Sequence, residues 1–520
     1  MVNNNESFSF NILFTSDIHG HVYPYKYSDS SDANEGFAKV ASVIQKYRTK
    51  NSLVIDAGDV IQGSVLTSYH NSFTANSLNP MVKVLNTISY DYNTLGNHDF
   101  NYGRDYLKKY TDAFNGRTLV NNIFEDGKTI YPAYHIHSFD NGPKVAIIGT
   151  TTQHIPIWEQ EKNIKNLQFT NAFEETKKTL NWIRENEEVD FVVVLYHGGF
   201  EKDLETGQEL IGETGENTGY LMLENLEIDI LLTGHQHRLL SGTKFNTTYV
   251  QPGYKGSHLA NIEINLAKKD GKWQKESIQP LLIEVGEIKA DENILALNLE
   301  LEKKAQKWLD IPLGHIKEGN LLFKDPLNDR LHKHKLFDFI NQIQLEVSKA
   351  SISCCSLGND VKGFEENISL RDVVSTYIYP NTLYILSVSG QQLLEALEKN
   401  ASFFEIKNNK VEISSIYLNP KVELYNYDVF LGIDYTIDLK ESIGQRVKDV
   451  TYQKQEINPK QHYELVMNNY RACGGGGFDM FLNAEIVRTI EMNMADIIAD
   501  YIKKHQEISI PEYDNLIIKY

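Results

Sequence analysis

The sequence predicts an α/β protein built from two large domains. Three observations lead there. The chain has 520 residues, more than one ordinary hydrophobic core organises, so two domains are expected. Strand and helix signals alternate over residues 1–290, the pattern that builds a sheet with helices on its faces. The stretch 291–310 then reads as one connecting helix, apolar on one stripe and rich in Lys and Glu elsewhere. Residues 311–520 form the second domain.

The first domain begins with a strand from Phe10 to Thr15 and a polar loop from Ser16 to His21. Phe37, Val40, Val43, Ile44 and Tyr47 recur at helical spacing. Leu53-Val54-Ile55 is a short buried strand that runs into Asp56-Ala57-Gly58-Asp59. Asn93-Thr94-Leu95 runs into Gly96-Asn97-His98, Val189 to Tyr196 into His197-Gly198-Gly199, and Ile228 to Leu232 into Thr233-Gly234-His235. Almost every strand here is followed by a Gly-containing loop that carries His, Asp or Asn. In open α/β sheets, sites form where the carboxyl ends of strands meet. The second domain mixes helices (Lys335 to Ser348, Gln391 to Glu398, Met492 to Lys504) with short strands.

Composition excludes several classes. Apolar residues make up 41%, as in globular proteins, and no run of about 18 apolar residues suggests a membrane span. The opening Met1-Val2-Asn3-Asn4-Asn5-Glu6 has neither a basic nor an apolar leader segment. Cys354, Cys355 and Cys473 make no disulfide framework. Both point to a cytoplasmic setting; a secreted or cell-wall form would follow if a signal had been removed. The net charge of −19 disfavours a nucleic-acid polymer as partner. An anionic substrate needs local positive charge, which metal ions supply. No oligomeric state is implied.

The loops carry a metal-binding vocabulary. Asp17-Ile18-His19 and His235-Gln236-His237 are i, i+2 pairs, whose side chains share a face in extended backbone. Asp59 has two carboxylate oxygens and can bridge two cations. Asn97 offers an amide oxygen, and His197 follows a strand. With Asp59 shared, these residues divide into two four-ligand sets. Mixed nitrogen and oxygen ligation suits Zn, Mn, Fe or Co rather than Mg or Ca. Two such ions about 3.5–4 Å apart clamp a phosphoryl group and activate water. In-line hydrolysis without a Ser or Cys nucleophile is the chemistry implied. His98, next to Asn97, is placed to protonate the leaving alkoxide or stabilise phosphoryl oxygens. The other histidines are read as structural, including His135-Ile136-His137, which lies in a strand without a Gly-rich turn, and His21, His70, His154 and His258. Asp56 is read as orienting its loop.

These blocks together resemble the calcineurin-like metallophosphoesterases: Asp17/His19, Asp59, Asn97/His98/Asp99, His197 and His235/His237. The resemblance continues into the second half and is closest to the 5′-nucleotidase / 2′,3′-cyclic-nucleotide phosphodiesterase family. It implies a β-sandwich flanked by helices in the first domain, a linker helix, and an α/β domain of 5′-nucleotidase type that recognises the nucleotide. It implies one ion on Asp17, His19, Asp59 and His237, and a second on Asp59, Asn97, His197 and His235. Tyr377-Ile378-Tyr379-Pro380-Asn381-Thr382-Leu383 and the run Asn468-Asn469-Tyr470-Arg471-Ala472-Cys473-Gly474-Gly475-Gly476-Gly477-Phe478 are similar to family segments that supply two aromatic walls for a base. Tyr379 and Phe478 are thereby expected to stack on it, each at about 1–3 kcal/mol, with Asn359 and Arg471 as further substrate-binding candidates. Base and metals would then lie in different domains, so turnover would need the domains to close.

Two departures bear on the substrate. Where 5′-nucleotidases usually have a carboxylate paired with the histidine that matches His98, this chain has Asn101. The stretch between Ser351 and Leu370 lacks the arginine of the 5′-nucleotidase pattern; only Asn359 partly matches. Both shift the expected nucleotide substrate toward 2′,3′-cyclic nucleotides and 3′-phosphates, with 5′-nucleotides or nucleotide sugars as the alternative. A non-catalytic nucleotide-binding protein is the second alternative, whose mark would be a lost ligand; none is lost here.

Overall fold

In the computed structural model, residues 6–209, 215–377, 379, 381–419, 421–490 and 492–520 are described. The opening residues 1–5, and Ile378 and Pro380 of the aromatic phrase, lie outside them. The chain divides into two compact units, 1–305 and 306–520.

The first unit is a sandwich of two six-stranded sheets. One sheet runs Lys272–Glu284, His258–Lys269, Ser7–Thr15, Ser52–Asp56, Tyr92–Asn93, Arg117–Thr118. The other runs Leu239–Lys244, Thr247–Pro252, Ile230–Thr233, Phe191–His197, Lys144–Thr151, Tyr134–Ser138. Alternate residues of both sheets meet in one core: Phe10, Ile12 and Phe14 from the first face Val145, Ile147, Val193 and Leu195 from the second. The period of two explains this, since every second side chain of a strand points the same way. The opposite face of the second sheet, with Ala146, Ile148, Val192 and Val194, packs on Phe173, Leu180 and Ile183 of the helix Ala172–Asn186. Strands covered on both faces read as continuous apolar runs, as Phe191–Tyr196 does.

The middle strands of each sheet are parallel, so their carboxyl ends share an edge. Thr15 pairs with Asp56 and Asp56 with Asn93, while Tyr196 pairs with Thr233. This register starts the Ser16, Ala57, Thr94, Gly198 and Gly234 loops at matched levels.

The connector is two helices, not the single one expected. Glu292–Leu297 and Leu299–Leu309 are separated by Asn298, at φ −120° and ψ 12°. Its buried side chain donates to the Pro80 carbonyl at 3.0 Å. A side-chain amide that bonds nearby backbone competes with helix continuation. Asp291 caps the first helix through Asn293 N–H and Ile294 N–H. Tyr25 and Tyr27 donate their hydroxyls to Glu302 on the second.

The second unit centres on a five-stranded sheet ordered Asp428–Leu431, Ile352–Ser356, His462–Asn468, Leu383–Ser389, Glu485–Ile490. The helices Lys335–Ser348, Gly390–Ala401 and Met494–His505 contribute to its core. Among the described residues, no helix is long and apolar enough to cross a membrane.

Candidate metal centre

The strand-end loops of the first unit bring seven residues together. Their backbone is bent to do it. Asp17, His19, Asp59, His235 and His237 all have left-handed backbone, with φ between 50° and 67°. Non-glycine residues rarely adopt it, and surrounding structure must hold them there. Backbone bonds tie the first two loops together: Asp17 N–H donates to Gly58 O at 3.0 Å and His19 N–H to Asp59 O at 2.8 Å. Two glycines make room. A Cβ on Gly96 would collide with Asp59 Oδ1, and one on Gly234 with Ser16 Oγ and Asp17 Oδ2.

Asp59 Oδ2 lies 3.8 Å from His19 Nε2 and 3.4 Å from His197 Nε2. On one side, His19 Nε2 is 3.1 Å from His237 Nε2, which is 3.5 Å from Asp17 Oδ1. On the other, Asn97 Oδ1 is 3.2 Å from His197 Nε2 and 2.9 Å from His235 Nδ1. Ligands of an ion bound at about 2.0–2.1 Å stand roughly 3–3.5 Å apart in tetrahedral geometry. Four of these spacings lie in that range, Asn97–His235 is slightly shorter and Asp59–His19 longer.

The hydrogen bonds give a sharper test. His19 Nδ1 faces the Gln62 carbonyl at 3.1 Å and His197 Nδ1 the Ala57 carbonyl at 2.7 Å. A carbonyl only accepts, so each Nδ1 carries the proton, and in the neutral ring Nε2 turns a lone pair to the cluster. His235 reverses the pattern, with Nε2 on Glu216 Oε1 at 2.8 Å and Nδ1 inward. Lone pairs of nitrogen and oxygen thus converge in a buried place. That arrangement costs free energy without a cation and suits one. Such outer partners commonly orient ligating histidines.

Electrostatics agree at His19 and run the other way at His197. Burial pushes His19 down to about 3, keeping the neutral form that ligation requires. At His197 burial is outweighed by the pull of the Asp59 carboxylate, which raises the ring to about 9, so a cation there would have to displace a proton. Burial alone would raise both carboxyls, but neighbouring imidazoles reverse this. His237 holds Asp17 at about 2, and chiefly His197 holds Asp59 well below the usual carboxylate range.

Other loop residues act on the frame. Asp56 accepts from Gly58 N–H at 2.8 Å and from the Thr15 hydroxyl at 2.6 Å. His135 and His137 both bond the Tyr92 hydroxyl, at 2.9 and 3.0 Å, outside the cluster. Sequence reasoning assigned no role to Asp99. Its buried carboxylate accepts four backbone N–H groups, from Asp59, Val60, Ile61 and Gly96. It thereby locks the Asp59 loop to the Asn97 loop. Its place directly after Asn97-His98 was the available signal. Glu216, Trp158 and Tyr254 carried none. Trp158 stacks on His235 at 5.4 Å and 23°, and Tyr254 on His237 at 4.7 Å and 4°. Asp99→Ala is expected to weaken divalent-metal affinity about 10–100-fold. Isothermal titration with Mn would read this, and wild-type affinity would refute the locking role.

His98 stands beside the cluster. Its backbone N–H donates to Asp59 Oδ1 at 2.7 Å, and its ring lies edge-on to His19 at 5.3 Å. Asn101 Oδ1 is 2.8 Å from His98 Nδ1.

In the second unit, two expectations are corrected. Phe478 does not present a face for a base, because it is fully buried. The Arg471 guanidinium lies 3.9 Å from its ring centroid, and Phe481 stacks 6.1 Å away at 13°. The glycine run causes this: Gly474, Gly476 and Gly477 take positive φ and fold the loop so that Phe478 N–H reaches Gly474 O at 3.0 Å. Arg471 is 1% exposed and pairs with Asp428 at 2.7 Å, so its charge is spent inside the fold. Both ends of the Asn359 amide hold the neighbouring loop, through Val422 O and Leu424 N–H. Tyr379 is half-buried.

Residues 10–239 match the calcineurin-like phosphoesterase family, and residues 312–483 the 5′-nucleotidase C-terminal domain. A solved structure from Staphylococcus aureus, a candidate 5′-nucleotidase in complex with alpha-ketoglutarate, is 34% identical over 99% of this chain and 100% of that one, with a TM-score of 0.90. A trifunctional nucleotide phosphoesterase, YfkN of Bacillus subtilis, is 26% identical across 97% of this chain, which spans only 38% of that protein. A 2′,3′-cyclic-nucleotide 2′-phosphodiesterase/3′-nucleotidase of Haemophilus influenzae is also 26% identical, over 95% of this chain and 84% of that one.

Proposed function

This chain belongs to the calcineurin-like phosphoesterases, metal-dependent hydrolases, in the group that carries a 5′-nucleotidase C-terminal domain, and on that premise we propose that it opens 2′,3′-cyclic nucleotides and hydrolyses the resulting 3′-monophosphates to nucleoside and phosphate. The observation that carries the chemistry is Asp59 Oδ2 standing between two donor sets. Asp17, His19, Asp59 and His237 would hold one divalent ion, and Asp59, Asn97, His197 and His235 a second, each Mn, Zn, Co or Fe. Ions held there supply Lewis-acid charge to phosphoryl oxygens and activate water.

The chain's own groups do the rest. The Asp99 carboxylate keeps Asp59 and Asn97 facing each other. Glu216 and the Gln62 and Ala57 carbonyls fix which ring nitrogen faces inward. His98 delivers a proton to the leaving alkoxide or a hydrogen bond to a phosphoryl oxygen. Tyr379 supplies one aromatic face for the base. With Phe478 buried, Tyr470 of the preceding short helix Asn469–Ala472, half-buried and edge-on to Tyr425 at 6.1 Å, replaces it as the candidate second face.

The substrate class rests on Asn101 at the position beside His98 and on the name of the Haemophilus relative. Hydrolysis of 5′-nucleotides is the second reading, favoured by the Staphylococcus structure. A panel of 2′,3′-cAMP, 3′-AMP, 5′-AMP and UDP-glucose with Mn or Co separates them. The expected result is faster turnover of the first two, lost on chelation and restored by metal. Faster turnover of 5′-AMP than of both would reverse the assignment.

A further inference from the structure

A carboxylate that no motif marks stands behind the proposed proton donor. We propose that Glu159 is a positioning residue for His98: it sets the direction of the Asn101 amide and thereby the nitrogen on which His98 permanently holds a proton. This rests on the reading of His98 as the group acting on the leaving oxygen.

Glu159 follows the short helix Ile155–Trp158. Three donors converge on it. Asn101 Nδ2 reaches Oε2 at 2.6 Å, while Gln160 N–H and Asn163 Nδ2 reach Oε1 at 2.7 and 2.8 Å. Asn163 Nδ2 also donates to the Asn101 carbonyl at 3.1 Å, which clamps the two segments. Burial raises the Glu159 carboxyl while the three donors favour its ionised form. An ionised carboxylate only accepts, so in that form the Asn101 NH2 group must face Glu159. Its Oδ1 must then face His98, where it lies 2.8 Å from Nδ1. The reversed amide would set oxygen against carboxylate.

An oxygen at that place accepts, so Nδ1 of His98 keeps its proton whether the ring is neutral or charged. Nε2 becomes the one ring atom that exchanges a proton with the ester. A carboxylate directly on His98 would need no such help, because either of its oxygens accepts. An amide has a donor end and an acceptor end, and something must choose between them. Glu159 makes that choice from 58 residues away in sequence.

Glu159→Gln tests this. Its single side-chain oxygen cannot serve all three donors. Where it takes the two from Gln160 and Asn163, its NH2 group meets Asn101 and turns that amide round. On whichever adenylate of the panel turns over fastest, kcat is expected to fall at least about tenfold with KM within about twofold. On bis(p-nitrophenyl) phosphate, whose leaving group departs without a proton, the loss is expected to stay under about threefold. The double variant Asn101→Asp/Glu159→Gln restores a complementary carboxylate–amide pair with the roles exchanged. Its kcat is expected to return to within about threefold of wild type.

Wild-type kcat in Glu159→Gln would overturn the proposal. So would equal loss on both substrates without recovery in the double variant, the signature of a fold defect. His98→Ala separates the two layers. If it retains wild-type kcat on the nucleotide, the reading of His98 fails and the proposal with it. If it is inactive while Glu159→Gln is unimpaired, only the role of Glu159 is refuted.

Discussion

Asp59→Asn is expected to lower kcat on nucleotide esters at least about a thousandfold, equivalent to about 4 kcal/mol of transition-state stabilisation, with the fold intact. The expectation follows from where the carboxylate stands. Its Oδ2 is the oxygen within reach of imidazoles from both donor sets, and its Oδ1 accepts the His98 backbone N–H at 2.7 Å. An amide in the same volume keeps one acceptor at most. The shared position loses its charge whichever way the amide turns, and with its oxygen in the Oδ2 place the His98 N–H loses its acceptor as well. The four N–H groups on Asp99 do not involve the Asp59 side chain, so the loop should persist. Metal content per chain by mass spectrometry should fall to about half of the wild-type value or less. Circular dichroism and the thermal midpoint should stay near wild type. Retention of kcat within tenfold at saturating Mn would remove Asp59 from the reaction.

Arg471→Ala is expected to destabilise the second unit by about 3–5 kcal/mol. Arg471 and Asp428 are each 1% exposed and paired at 2.7 Å. The guanidinium also donates to the Tyr425 carbonyl at 3.0 Å and to the Gly475 carbonyl. Truncation leaves the Asp428 carboxylate buried without its cation, which is the costly half of breaking such a pair. It also removes the packed face over Phe478. Replacing both partners with apolar residues, as in Arg471→Met/Asp428→Leu, should recover much of the loss. Urea unfolding monitored by fluorescence reads both variants. A surface arginine that binds substrate would behave otherwise: Arg471→Ala would raise KM and leave the midpoint unchanged. That outcome would restore Arg471 to substrate binding.

Much of the first unit was legible because its information is local. Gly96 and Gly234 sit beside Asn97 and His235 in sequence, and it is their missing Cβ atoms that let Asp59 and Asp17 approach. Short apolar runs such as Phe191–Tyr196 announce buried strands, and the polar residues that follow occupy their carboxyl ends. The second unit was less legible. A Gly run with a trailing aromatic is compatible with an open wall or a folded-back plug. The choice depends on Asp428, a residue on another strand that holds Arg471 under the loop. The connector was misread for a similar reason: Asn298 is compatible with a helix until Pro80 offers its carbonyl.

The α/β class, the loops at which chemistry could occur and the residue types they carry each depend on neighbours along the chain, and so could be read from its order. Which oxygen faces which nitrogen is set by contacts across the fold. Parallel register sets Thr15, Asp56 and Asn93 side by side and so brings Asp59 between His19 and His197. Glu159 behind Asn101 and Glu216 behind His235 reach their partners across 58 and 19 residues. Hydrogen-bond direction depends on both partners at once, and no spacing of letters along the chain contains it.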